Sequence, residues 1–206
     1  MTQEKIRYGI SNVHYAIQTK DINGKAQFGP LKKLPYATNF TREPAGEDIP
    51  VYADDDEIVR LKNDQGFTGT LSLTRVDDDF YADVLGRIKA SDGTYEHEVG
   101  TESSVVALTY EFKAESGKKP IRGVLYNVTF GQPGESSATS TDTVEVQTVE
   151  VPFTATPVQL LDEAVVDGKL RTGRYVGKQT SQGTNDNVFL NWHKEVVLPT
   201  RATDTP

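Results

Sequence analysis

Apolar and polar residues alternate through segment after segment of this chain. Phe67, Gly69, Leu71 and Leu73 interleave with Thr68, Thr70, Ser72 and Thr74, the period of a strand with one face in a core and the other in water. Val13, Tyr15 and Ile17 keep the same step, and Asn23-Gly24 then offers a hairpin turn. Val106, Leu108, Tyr110 and Phe112 form a third stripe, ended by a turn at Ser116-Gly117, and Val124, Tyr126, Val128 and Phe130 form a fourth. Beyond a Gly/Ser/Thr-rich loop over 131–141 the stripe changes parity: Val144 and Val146 are even, whereas Val149, Val151 and Phe153 are odd. One extra residue in a strand produces such a switch, so the pattern predicts a β-bulge at 147–149.

One segment departs from the two-residue period. Asp77-Asp78-Asp79 is followed by Phe80/Val84 and Tyr81/Leu85, both spaced i, i+4, and then by Gly86. Acids at the start suit the helix dipole and cap free amides, and a terminal Gly takes the left-handed position. A short helix laid on the sheet is predicted, with a further helical turn near 187–194. The stretch 41–57, with Pro44, Gly46, Pro50 and a run of acids, reads as a long irregular connection of the kind that is usually functional or disordered. The organisation expected is a single domain over 1–199, with 41–57 as an extended inter-subunit loop and 200–206 as a flexible tail.

Composition sharpens the fold class. The chain has 21 Val and 23 Thr against 13 Leu and 13 Ala, and β-branched side chains fit a pleated surface better than a helix. A mainly β protein is expected, a β-sandwich or barrel-like fold with one short flanking helix and long loop and terminal extensions. No Cys is present, which excludes disulfides, thiolate metal sites and a cysteine nucleophile. No apolar stretch after Met1 to Tyr8 could serve as a signal core, and the aliphatic run 105–108 is far too short to cross a bilayer. A net charge of −8 argues against a surface that grips nucleic acid, since phosphate affinity comes from Lys and Arg displacing counterions.

Chemistry finds little support. His14, His97 and His193 stand far apart, each in a setting expected of a surface or core-edge residue. No Gly-x-Ser-x-Gly elbow occurs. Gly173 to Gln179 echoes a phosphate loop but has one residue too few between its glycines, and Gln179 where Ser or Thr must hold magnesium. The runs 54–57 and 77–79 lack the spacing of a calcium loop. No enzyme, metal or cofactor is therefore expected, although two acids distant in sequence can always converge in space.

Several strings, in order, resemble the major tail protein family of siphophages infecting Gram-positive bacteria: 8–16 (YGISNVHYA), 51–55 (VYADD), 66–73 (GFTGTLSL), 83–86 (DVLG), 122–128 (RGVLYNV), 153–157 (FTATP) and 191–197 (NWHKEVV). They span nearly the whole chain. The resemblance implies a non-enzymatic virion protein made in the host bacterial cytoplasm. It would polymerise as stacked hexameric rings, its inner strands joined edge to edge, into the tail tube through which DNA is ejected without specific binding. Tape measure, tail terminator and distal tail proteins would be its other partners, and no membrane is involved. The implied inter-subunit contact is the 41–57 region: Arg42, Glu43, Glu47, Asp48, Tyr52, Asp54, Asp55, Asp56 and Glu57. Phe67, Leu71, Leu73, Phe80, Val84 and Leu85 are the expected core positions of strand and helix. The composition also fits another β-rich virion or surface subunit, such as a head–tail joining or decoration protein. A carbohydrate-binding module would need clustered aromatics, whereas the Tyr residues are scattered and Trp192 is alone.

Overall fold

The computed structural model describes residues 7–22, 24–53, 56–61, 63–114, 120–134, 147–166, 169–180 and 186–200. In chain order come β1 (Arg7–Lys20), β2 (Ala26–Phe28), β3 (Lys32–Lys33), β4 (Ala37–Ala45), β5 (Ile49–Ala53), β6 (Asp56–Leu61), β7 (Gly66–Leu73) and α1 (Asp78–Asp83). There follow β8 (Ile88–Lys89), β9 (Tyr95–Glu96), β10 (Val106–Ala114), β11 (Ile121–Phe130), β12 (Val149–Ala155) and β13 (Val158–Gln159). The last are β14 (Ala164–Val166), β15 (Lys169–Arg171), β16 (Arg174–Tyr175), β17 (Gly177–Gln179) and α2 (Asp186–Asn191). The fold is mainly β, as the Val- and Thr-rich alternation predicts. One antiparallel sheet runs β2-β1-β10-β11-β12-β7-β4, with β3 added to β1 and β17 to β11.

That sheet curls onto itself, because its two ends share one core. Leu71 and Leu73 of β7 and Val151 and Phe153 of β12 pack with Val13, Tyr15, Leu108 and Tyr110 of β1 and β10. Phe40 of β4 stacks on Tyr110 with ring centroids 4.7 Å apart and on Phe153 at 5.4 Å. Helix α1 plugs one end. Phe80, Val84 and Leu85 are fully buried, and Phe80 meets Tyr15 and Phe130 edge-on, each at 5.3 Å. Gly86 ends the turn at φ +73, where a Cβ would also lie 2.7 Å from Thr101 Cγ2. Asp78 and Asp79 stand in the first turn as expected, but the capping differs. Asp77 makes no side-chain cap, and its carbonyl instead accepts the amides of Phe80 and Tyr81.

A second, smaller core lies on the outward face of β10 and β11. Ala16, Ala107, Val124 and Tyr126 are covered by Trp192 and Val196, which follow α2. This divides the fourth stripe read from sequence. Val124 and Tyr126 face the second core, whereas Leu125, Val128 and Phe130 face the first. The cause is a bulge at Asn127, at φ +49, where the β10 register jumps between the pairs Val106↔Val128 and Leu108↔Leu125. A similar bulge at Asn12, at φ +50, lets Ile10 and Val13 serve the same core. Asn tolerates the left-handed conformation better than most side chains do. At the site where sequence predicts a bulge, β12 begins only at Val149, and its register with β7 runs unbroken to Ala155. The even half of that parity argument, Val144 and Val146, lies outside the described residues, as do Asn23 and the Ser116-Gly117 turn.

Two further expectations change. The stretch 41–57 is not an irregular connection. Thr41 to Ala45 belong to β4 and pair residue by residue with β7, and β5 and β6 form a hairpin. Pro44 sits on the edge strand of the sheet, where proline is tolerated. Nor are the histidines all isolated: the rings of His14 and His193 stack with centroids 5.0 Å apart, while His97 is exposed.

Candidate assembly surfaces

Helix α1 caps one end of β7, and the β5–β6 hairpin leaves the other. The hairpin's base is tight: Gln65 N donates to Ala45 O at 3.0 Å, and Gly66 N donates to Asp64 Oδ1 at 3.0 Å. A Cβ on Gly46 would stand 1.9 Å from Asn63 O, so the turn into the hairpin requires glycine. Val51 pairs with Val59, and Ile49, two residues before Val51, falls on the same face of the arm. Ile49, Val51, Tyr52, Ile58 and Val59 are all exposed, Ile58 at 66% and Tyr52 at 63%. A lone two-stranded hairpin is marginal in water, and clustered exposed apolar residues mark interaction sites. Glu47, Asp48 and Asp56 are exposed around these residues.

The second surface is the outward face of β4, β7, β12 and the end of β11. The registers set its residues in rows. One row is Glu43, Thr68, Thr154 and Thr129. The next is Thr41, Thr70 and Pro152, and the third is Asn39, Ser72 and Glu150. Most of these side chains are exposed, Ser72 being buried, and among the described residues no element covers the exposed ones. The rows hold hydroxyls, an amide and two carboxylates, with no Lys or Arg. Arg42, on the same strand, points the other way. Its Nη1 donates to Tyr110 Oη at 2.7 Å, and its guanidinium lies 5.0 Å over the Phe67 ring.

The third surface is an unfinished edge. β4, nine residues long, ends the sheet order, and among the described residues no further strand pairs with it. Along it runs a groove of 550 Å³, lined by Thr38 to Glu43 on one side and Gly9, Ile10 and Phe112 on the other. Unpaired strand edges are ready templates for another chain.

Of the contact residues expected from sequence, Glu43 lies on the hydroxyl-rich face, and Glu47, Asp48, Tyr52 and Asp56 lie on the exposed arm. Arg42 is engaged within its own subunit. Asp54 and Asp55 lie outside the described residues, as does the side chain of Glu57. Leu71, Leu73, Phe80, Val84 and Leu85 are fully buried and Phe67 is half-buried. Sequence reasoning missed the bare sheet face as a unit, although its alternating Thr residues signalled it. The segment resembling a phosphate loop forms β16 and β17 instead of a loop leading into a helix. Among the described residues no group of three His, Asp or Glu could hold a metal, and no helix is long and apolar enough to cross a membrane.

A family model described as phage tail tube protein matches residues 2–189. A search of curated proteins finds no relative.

Proposed function

The chain belongs to the phage tail tube protein family, structural components of the virion tail and not enzymes, and from that premise we propose how its surfaces build a tube. Copies close into hexameric rings by pairing free strand edges, β4 foremost, so that the ring leaves no edge open. Rings stack head to tail, a contact that does not close and therefore propagates. The β5–β6 arm makes the inter-ring contact, with Glu47, Asp48, Tyr52 and Asp54 to Glu57 at the joint. Tape measure, terminator and distal tail proteins meet the assembled tube.

The observation that carries the reading is the cation-free, hydroxyl-rich face of β4, β7, β12 and β11. We assign it to the bore. A conduit for DNA must let phosphates pass without holding them, and a wall of Thr hydroxyls with Glu43 and Glu150 releases no counterions on contact. Electron microscopy of the overexpressed protein tests the tube, which should give hollow rods of uniform bore. Because the chain lacks Cys, labelling tests the wall. In assembled rods, Thr154→Cys should react with a small maleimide but not with one too bulky for the bore. Equal reaction with both would remove this face from the lumen. Replacing 47–63 with a short turn should leave a folded protein that forms no rods.

A further inference from the structure

The C-terminal segment 186–199 is held onto β10 and β11 from a few points. Trp192 is fully buried against the second core, and its Nε1 donates to Gly123 O at 3.4 Å. Tyr126 Oη donates to Val197 O at 2.6 Å, and Lys178 Nζ donates to Leu198 O at 2.9 Å. Beside Trp192 stands a polar knot. Arg122 donates through Nε to Glu111 Oε2 at 2.6 Å and through Nη1 to Phe189 O, and its guanidinium lies 4.0 Å over the Phe189 ring. His193 Nε2 comes within 3.5 Å of the same Glu111 oxygen. His14, whose ring stacks on His193, donates from Nδ1–H to Asn12 O at 3.0 Å. Ser11 and Asn12 side chains donate to the other Glu111 oxygen.

We propose that this knot of His14, His193, Glu111 and Arg122 is an acid-sensitive clasp that releases the segment 186–199 from the sheet. The charged groups around it come from every packed element: Lys33 of β3, directly opposite His14, Glu111 of β10, and Arg122 of β11. Lys194 follows His193 and is exposed. The Glu111 carboxylate is paired with Arg122. With His14 protonated, its ring is a cation stacked 5.0 Å from His193 and set opposite Lys33. Glu111 cannot relieve this by itself. Despite burial, which pushes it up, contacts with His193 and Arg122 hold its carboxyl down at about 2, so it stays singly charged.

The direction follows from His14. Burial foremost, with His193 and Lys33 adding to it, holds His14 below 6.5 against the pull of its bond to Asn12. Its neutral form therefore supports the clasp fully above pH 6.5, and that support is lost as pH falls through the folded value. The movable part is the segment carrying His193 and Trp192, because His14, Glu111 and Arg122 are all in strands of the main sheet.

Trp192 is the only Trp in the chain, which supplies a direct probe. Acrylamide quenching of the soluble full-length protein should rise several-fold between pH 8 and pH 5, reversibly, with far-UV circular dichroism unchanged. His14→Gln should remove most of the rise, and His97→Gln should titrate like the unaltered protein. A flat quenching constant overturns the clasp, as does a rise unchanged in His14→Gln or one accompanied by loss of β signal. Amide exchange needs no variant. Residues 189–197 should lose protection at pH 5 while 106–112 keep theirs, and equal behaviour of the two would overturn the idea.

Discussion

The outward faces of β7–β12 and of β10–β11 belong to the same sheet but meet opposite fates. On β12, Val151, Phe153 and Ala155 are buried while Glu150, Pro152 and Thr154 are exposed. On β10, Val106 to Glu111 are buried without a break, because α1 and the first core lie on one side and the C-terminal segment on the other. A sheet open to water on one side needs strict alternation, and a strand covered on both sides reads as a continuous apolar run. The distinction is already present in the sequence, GFTGTLSL against VVALTYEF. The lesson concerns function as much as fold. A face left bare by alternation is available for a conduit wall, and a face that sequence makes apolar must be covered by the chain's own end.

The comparison is broken most severely by charge placed on the wrong side of β7. Leu71→Asp puts a carboxylate into the first core with no partner, and a buried unpaired charge is neutralised or expelled at a cost of several kcal/mol. No soluble folded protein is expected, as judged by yield and circular dichroism. Thr70→Asp, one residue earlier and on the open face, should fold normally. If both variants behave alike, the alternation argument fails. Next comes the cover itself. Trp192→Ala empties the centre of the second core, and such truncations cost roughly 3–5 kcal/mol. Urea unfolding followed by circular dichroism should show that loss, and an effect below about 1 kcal/mol would mean that the C-terminal segment adds little to stability.

Much of the first core was legible because it follows local periods: the stripe at Phe67 to Leu73 and the i, i+4 pairs of α1 both stand where the pattern puts them. What the pattern hid has physical causes. Asn12 and Asn127 each add one residue to a strand and flip its faces, and an Asn gives no more warning of a bulge than of a turn. Pro44 and Gly46 look like breakers in sequence but sit at a sheet edge and a hairpin base, where tertiary placement makes them harmless. The knot around Glu111 joins residues about a hundred positions apart, Ser11 and Asn12 among them, so no local spacing announces it.

Glu111 sharpens the comparison at a smaller scale, since it is a charge buried on the covered face. Its carboxyl is held at about 2 against an ordinary 4.5. The stabilisation this gives is complete above pH 4.5 and declines as pH falls from there towards 2. Glu111→Gln should lower stability at neutral pH, by leaving Arg122 without its counter-charge, and should flatten the acid limb of a stability–pH curve measured by urea unfolding. An acid limb identical to that of the unaltered protein would assign the pH dependence to other carboxylates.

The smallest effect on the fold belongs to the bare face, and there the readout is function. Thr154→Lys changes an exposed position flanked by Thr68 and Thr129, and surface substitutions of this kind usually shift stability by no more than about 0.5 kcal/mol. If the row Glu43, Thr68, Thr154 and Thr129 lines the bore, each ring gains a circle of cations where it had none. Rods of the variant should then retain short DNA at low salt and release it as salt rises, because each Lys–phosphate contact displaces counterions. The same substitution at exposed Thr19, on the sheet's far margin beside β2, should not retain DNA in the same way. Retention by both variants would show that any added cation suffices, and retention by neither would take DNA away from this wall.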